Sequence, residues 1–238
     1  DTDFVEVPLD GLTSKAYAES LRKGINPNRA RPSSDIRAGT PAAYESPETT
    51  HFSIVDRWGN AVSNTYTINF SYGSGITVAG AGFLLNNEMD DFSAKPGVPN
   101  AYGLIGGEAN KIEPGKRMLS SMSPTIVRRD GRNFLVAGSP GGSRIITTTL
   151  QILLNVIDHG MNIQTAVNAP RIHHQWLPDE ILMEQGVSPD TVHLLEKKGH
   201  KMVTGSSMGA IQSILIDNQG RFYGGADPRR STSSAMGY

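Results

Sequence analysis

Apolar and polar positions alternate from Thr50 to Asp56, and again from Ala61 to Asn69. Arg57-Trp58-Gly59-Asn60 lies between them, so the period of two predicts a hairpin beginning at Thr49 or Thr50. A second hairpin is predicted over Ser123 to Arg128 and Asn133 to Ala137, turning at residues 129–132. A third is predicted over Ala210 to Ile216 and Arg221 to Tyr223, turning at Asp217-Asn218-Gln219-Gly220. Three longer segments carry helical spacing. Ser14 to Gly24 reads as a short helix stopped by glycine. Ser143 to His159 is a long one, in which Ile145, Ile146, Leu150, Ile152, Leu153, Val156 and Ile157 cover most of the surface and predict deep burial. Ser188-Pro189-Asp190 opens a helix to about Lys198, with Pro at the first helical position. A shorter helix is expected near Ile163–Asn168 and a strand near Arg171–Trp176. Hairpins interleaved with helices predict an α+β layered domain with largely antiparallel sheets. Between Asn26 and Glu48 apolar residues are scarce and Pro27, Pro32, Pro41 and Pro47 recur, the composition of a loop or linker.

Composition removes several classes of function. The 238 residues hold 22 Lys and Arg against 23 Asp and Glu, a net charge of -1, which gives no electrostatic footprint for nucleic acid or an anionic membrane. No Cys is present, so disulfides, thiolate metal sites and a cysteine nucleophile are excluded. No apolar run approaches the roughly 20 residues of a membrane helix. The six histidines show no metal-binding spacing, and His173-His174, adjacent on a strand, point to opposite faces and cannot ligate one metal together. The opening Asp1-Thr2-Asp3-Phe4-Val5 has no initiator Met and no targeting character, and is expected to lie inside a longer protein.

Three clusters can carry chemistry. Thr49 and Thr50 stand where the linker meets the first strand, with Thr65 and Thr67 on the next. A threonine hydroxyl needs a neighbouring base, and an N-terminal threonine supplies its own α-amine, with a pKa of about 7.7–8.0. A cut after Glu48 would create that terminus; threonines are also ordinary strand residues. Gly138-Ser139-Pro140-Gly141-Gly142-Ser143 precedes the long helix, where backbone N–H groups can hold an oxyanion or simply form a tight turn. Asn86-Asn87-Glu88-Met89-Asp90-Asp91 can take an amino group or a metal, or stand as a solvated acidic loop.

Together these clusters resemble a family. Thr49-Thr50-His51-Phe52-Ser53-Ile54-Val55-Asp56 is similar to the start of the small subunit of the γ-glutamyltranspeptidases, which are N-terminal-nucleophile hydrolases. Thr65-Tyr66-Thr67-Ile68-Asn69, residues 84–92, Leu119 to Thr125 and Gly138 to Arg144 resemble later motifs of that family, in order. The likeness continues through Ala169-Pro170-Arg171 and Asp227-Pro228-Arg229. It implies a four-layer αββα sandwich with antiparallel sheets. Residues 49–238 would be the catalytic small subunit and 1–48 the C-terminal segment of the large one.

By that resemblance Thr49 is the nucleophile and, after self-cleavage at Glu48–Thr49, the new N-terminus. Thr67 supports it, and the N–H groups of Gly141 and Gly142 form the oxyanion hole. Asn69, Glu88 and Asp91 bind the α-amino group of a γ-glutamyl donor such as glutathione, and Ser120 and Ser121 its α-carboxylate. Lys95 to Gly107, with Tyr102, resembles a lid loop, and Met118 stands where relatives often carry Pro. The implied partners are the large subunit, which brings an arginine to the α-carboxylate, and amino-acid or peptide acceptors. No cofactor, metal, nucleic acid or membrane insertion is implied, and the implied location is periplasmic or secreted. Trp58 and Trp176 read as packing residues. Rival readings are an unprocessed precursor or γ-glutamyl binder, and a glutaryl (cephalosporin) acylase-like hydrolase with little use for Glu88 and Asp91.

Overall fold

The computed structural model describes residues 1–36, 49–95 and 106–237. The first segment is peripheral. Helices α1 (Leu9–Leu12) and α2 (Lys15–Lys23) bury none of their residues, and α2 begins where the Ser14 hydroxyl accepts from Tyr17 N. It is tied down at named points. Arg117 pairs with Asp1 and Asp3, the Ser33 hydroxyl donates to Asp179 at 2.7 Å, and the Trp176 indole donates to Ser33 O at 2.7 Å. Trp176 is thus an anchor through its indole N–H rather than a packing residue, since its ring is exposed, and Trp58 on the first hairpin's turn is more exposed still.

Strands β1 (Thr50–Val55) and β2 (Ala61–Tyr66) form the first hairpin, with His51 opposite Thr65 and Ser53 opposite Ser63. Asp56 closes the turn by accepting from Trp58 N and Asn60 N. The expected continuation of β2 to Asn69 does not form. Thr67 Oγ1 accepts from Asn69 N at 2.8 Å, and Asn69 takes φ 72°, a left-handed conformation that ends the ladder. Residues 74–85 fold into a small antiparallel excursion instead, bridged at Thr77 and Leu84.

Strands β3 (Thr125–Arg129), β4 (Arg132–Gly138), β8 (Gln212–Ile216) and β9 (Phe222–Ala226) make an antiparallel sheet in the order β3-β4-β8-β9. The alternation along β4 explains the layering. Leu135 and Ala137 face helices α3 (Arg144–Ile157) and α4 (Ile163–Asn168), joining Ile152, Val156, Ile163, Ala166, Val167 and Ile211 in the core. The other face of the sheet meets β1 and β2, whose inward positions are His51, Ser53 and Thr65. Three layers, helices on sheet on hairpin, are present among the described residues. The outward face of the hairpin, where a fourth would lie, exposes Phe52, Ile54, Val62 and Tyr66.

A third sheet joins β5 (Ile172–His173), β6 (Ile181–Met183) and β7 (Met202–Thr204), with α5 (Pro189–Lys197) between the last two. The β6–β7 pairing is parallel, a departure from the otherwise antiparallel pattern; the α5 crossover makes it possible. Deep burial of the long helix is corrected. α3 buries Ile145, Thr148, Thr149, Ile152 and Val156, while Ile146, Leu150, Leu154 and Ile157 form an exposed row on its other side. The apolar positions are there, but among the described residues α4 and strands β4 and β5 cover only one side of the helix.

Candidate active site

Thr49 sits one residue before β1 and is 9% exposed. Continuing the β1–β2 register one step beyond Thr50 and Tyr66 sets Thr49 opposite Thr67, on the same face as His51 and Thr65. Arg230 reaches the Thr49 carbonyl at 3.5 Å. Glu48 and Tyr102, the expected cleavage-site and lid residues, lie outside the described residues.

β4 ends at Gly138 because the chain must turn sharply there. The buried Ser139 hydroxyl donates to Pro140 O and accepts from Ala210 N at 2.9 Å. Gly141 (φ 136°) and Gly142 (φ 59°) then carry the chain into α3. A side chain on Gly141 would stand 3.2 Å from the Gly209 backbone, so positive φ and close approach both call for glycine. The carbonyls of Gly141 and Gly142 accept from Arg144 N and Ile145 N, whereas their own N–H groups have no protein acceptor among the described residues. Two such donors at the N-terminus of a 14-residue helix suit an oxyanion.

The acidic segment forms a 3₁₀ turn, Glu88–Asp91. Asn87 fastens it beside Asn69. Its carbonyl accepts from Asn69 Nδ2 at 3.1 Å, and its side-chain oxygen accepts from Phe70 N at 3.1 Å. Burial, helped by the charges of Glu88 and Asp90, pushes the Asp91 carboxyl up to about 7. Burial also raises Glu88, and Asp90 Oδ2 is buried without a partner among the described residues. This is a cluster of partly desolvated carboxylates short of a cation, suited to an ammonium group. Ser120 is exposed and accepts from Met122 N at 3.3 Å, and Ser121 is half-buried. The fold therefore sets Thr49 at the end of β1 where the extended register would meet Thr67, Asn69 beside the acid turn, and the glycines at the helix start.

The gamma-glutamyltranspeptidase profile matches residues 1–237. The chain belongs to the gamma-glutamyltranspeptidase family. It is 58% identical over 238 residues to the glutathione hydrolase proenzyme of Escherichia coli strain K12, covering all of this chain and 41% of that protein. It thus spans about two-fifths of the length of the curated relatives it matches. A crystal structure of Helicobacter pylori gamma-glutamyltranspeptidase is similar with 60% identity and a TM-score of 0.74, over 76% of this chain and 100% of that one. A cephalosporin acylase from Bacillus halodurans is similar with 26% identity and a TM-score of 0.81, over 100% of this chain and 41% of that one.

Membership gives weight to residues that carry no motif of their own. Asn110 is buried between the two candidate binding segments. Its amide donates to Asp91 O at 2.7 Å and accepts from Leu119 N at 3.0 Å, and its carbonyl accepts from Ser93 N at 2.8 Å. One side chain thereby sets the acid turn against the Ser120–Ser121 segment. An unassigned Asn followed by a lysine gives no sequence signal; only the tertiary contacts reveal it. A cleft of about 290 Å³ also opens along β1 near Ser53, Gln212 and Arg230, but none of Asn69, Glu88, Asp91, Ser120 and Ser121 lines it. As expected, His173 is buried against Thr147 and Gln175 while His174 points to solvent beside Asp179. Among the described residues no group of His, Asp and Glu is arranged to hold a metal ion, and no helix is long and apolar enough to cross a membrane.

Proposed function

We propose that this protein is the catalytic part of a γ-glutamyl transferase and hydrolase, acting through a γ-glutamyl ester on Thr49. The observations that support the reading are a buried threonine at a strand start and, at the start of α3, two glycine N–H groups with no protein acceptor among the described residues. Cleavage after Glu48 frees the Thr49 α-amine, whose ordinary pKa of about 7.7–8.0 lets it take the hydroxyl proton and return it. The hydroxyl attacks the γ-carbonyl of glutathione or a related donor. The oxyanion rests on Gly141 and Gly142, the amine leaves with the returned proton, and water or an acceptor amino acid or dipeptide takes the γ-glutamyl group. Thr67 supports the nucleophile. Asn69, Glu88 and Asp91 hold the donor's α-ammonium, and Ser120 and Ser121 its α-carboxylate. No cofactor takes part.

Maturation uses the same hydroxyl on the Glu48 carbonyl, by an N-to-O acyl shift and hydrolysis. Residues 49–238 then form the small subunit and 1–48 the tail of the large one. The H. pylori likeness supports this division, since the whole of that chain is covered by about three-quarters of this one. The exposed rows on α3 and on the outer face of β1 and β2 support a large partner subunit, because contiguous apolar surface of this kind marks an interface. Placement in the periplasm or outside the cell follows from the family resemblance.

Intact-mass analysis of the full-length precursor tests the reading. Two fragments meeting at Glu48 and Thr49 are expected, together with glutamate release from γ-glutamyl-p-nitroanilide. Thr49→Ala is expected to remain one species with no release; a Thr49→Ala precursor that matures and turns over would overturn the assignment. The likeness to a cephalosporin acylase favours a second reading, hydrolysis of glutaryl amides. The acid cluster argues against it, because a glutaryl group offers no ammonium to Asp91. Comparing kcat/KM for glutaryl and γ-glutamyl anilides decides between them.

A further inference from the structure

His51 stands two residues inside the nucleophile end of β1, opposite Thr65 and on the face shared by Thr49 and Thr67. Its imidazole is buried between the hairpin and β4, and it occupies the space that a side chain at residue 138 would need. A Cβ on Gly138 would lie 2.2 Å from His51 Cε1 and 2.5 Å from Nδ1. The imidazole therefore rests directly on the last residue of β4, where the Gly141–Gly142 loop departs.

The hydrogen bonds around the ring can run in only one direction. The Ser53 hydroxyl donates its single proton to the Gln212 carbonyl at 2.9 Å. Its oxygen, 3.1 Å from His51 Nε2, must then accept from an Nε2–H. Nδ1 of a neutral ring is left as an acceptor, and it lies 2.7 Å from Thr65 Oγ1, whose O–H donates to it. The chain runs from Thr65 through His51 and Ser53 to Gln212, and Gln212 pairs with Gly138 across β4 and β8. One ring thus joins both strands of the nucleophile hairpin to β4, which leads into the oxyanion loop, and through Ser53 to the neighbouring β8.

We propose that His51 is a positioning residue which, as the neutral Nε2–H tautomer, sets the distance between Thr49 and the N–H groups of Gly141 and Gly142. The inference rests on the reading of Thr49 as nucleophile. His51 is not the base for that nucleophile, because both ring nitrogens are already engaged. Burial holds the imidazole down at about 4, so the ring stays neutral across the working range of pH. The ring acts by size and direction rather than by proton transfer.

The test uses the mature full-length enzyme, with kcat counted per cleaved molecule. Long-range ¹H–¹⁵N correlation, assigned with His51→Gln, is expected to show a neutral Nε2–H ring at His51 from pH 5 to 9. An Nδ1–H or protonated ring overturns the proposal whether or not the enzyme turns over γ-glutamyl anilide. Absence of wild-type turnover would instead sink the functional reading on its own. In His51→Phe, which fills the space without the hydrogen bonds, kcat is expected to fall about 100-fold with KM nearly unchanged, the scale of a misplacement near 1 Å. His51→Gln, retaining part of the chain, is expected to lie between the two. Ser53→Ala removes one link, and serves if His51→Phe does not mature; about a tenfold loss confined to kcat is expected. The pH profile of kcat should keep its shape in every variant. Loss of one ionisation from that profile, a change in KM alone, or full kcat in both His51→Phe and Ser53→Ala refutes the positioning role.

Discussion

Around Arg171 and Asp227 every buried charge meets an opposite one, whereas around Asp91 the carboxylates, among the described residues, meet only each other. In the first region Arg171 donates to Asp227 at 2.6 Å, and Arg229 bridges Asp227 and Glu184. The guanidinium groups also satisfy the Val167 and Ala169 carbonyls at the end of α4, and Asp227 accepts from Ile211 N. Burial alone would raise Glu184. The Arg229 guanidinium and the N–H groups of Met208 and Arg171 outweigh it and hold the carboxyl below its ordinary value. In the second region nothing offsets burial, so Asp91 and Glu88 are both pushed up. The difference separates two uses of buried charge. The first network pairs each of its charges within the described residues, leaving Arg171 Nε without a hydrogen-bond partner there, and fastens the backbone near Gly209, under the oxyanion loop. The second has no cation of its own among the described residues, which is why it is the proposed holder of the donor's α-ammonium.

The largest effect should come from breaking the charge-paired network. Arg171→Ala leaves Asp227, with no solvent exposure, facing the lost partner. Removing one member of a buried pair costs about 3–5 kcal/mol, and because Arg229 still faces Asp227 the low end of that range is expected. Urea unfolding of the full-length protein should show a midpoint shifted down accordingly. An unchanged midpoint would mean that the two regions do not differ in the way described.

The same operation in the second region should have the opposite sign for stability and a loss for binding. A carboxyl raised in the fold opposes folding once it ionises, so Asp91 contributes stability below its ordinary value near 4 that is lost as pH rises through about 7. Asp91→Asn should therefore raise Tm at pH 8 and leave it unchanged at pH 4. It should also raise donor KM by about 10- to 100-fold, the worth of a charge-assisted hydrogen bond. In the parent protein kcat/KM should climb with pH through about 7 as Asp91 ionises, and in Asp91→Asn that climb should flatten. A variant that loses both stability and affinity at pH 8 would place Asp91 with the structural charges instead.

Sequence pattern reached the hairpins because alternation and turn residues such as Asp56 and Asp217 are local. It reached the length of α3 because Gly142 and Gly160 punctuate it. It misjudged the burial of α3, since periodicity counts apolar positions but not the partners that cover them. It missed β6 and β7, three residues each, whose parallel pairing depends on a crossover. Asn69 was placed in a strand because nothing nearby announces its left-handed turn; the long-range bond to Asn87 O fixes it. For the site, the hydroxyl, glycine and acid clusters were visible as residue types. Their supports were not: His51 and Asn110 act through contacts 14 and 19 residues away in sequence.

Asn110 offers the finest cut between the two regions, since it carries no charge and touches only the backbone of each binding segment. Its amide links Asp91 O to Leu119 N, so Asn110→Ala leaves every proposed ligand of the donor in place and removes only their spacing. A lost neutral hydrogen bond costs about 1 kcal/mol, and the part of the two Asn110 bonds that sets the spacing of the binding segments should appear as a rise in donor KM of roughly five- to tenfold. The Thr49 end is anchored separately, through the β1–β2 register and the His51 contacts, so kcat should stay within about twofold of the parent. A fall in kcat with KM unchanged would show that the binding segments and the nucleophile move as one unit. The contrast between a built-in chemical end and an adjustable binding end would then have to be given up.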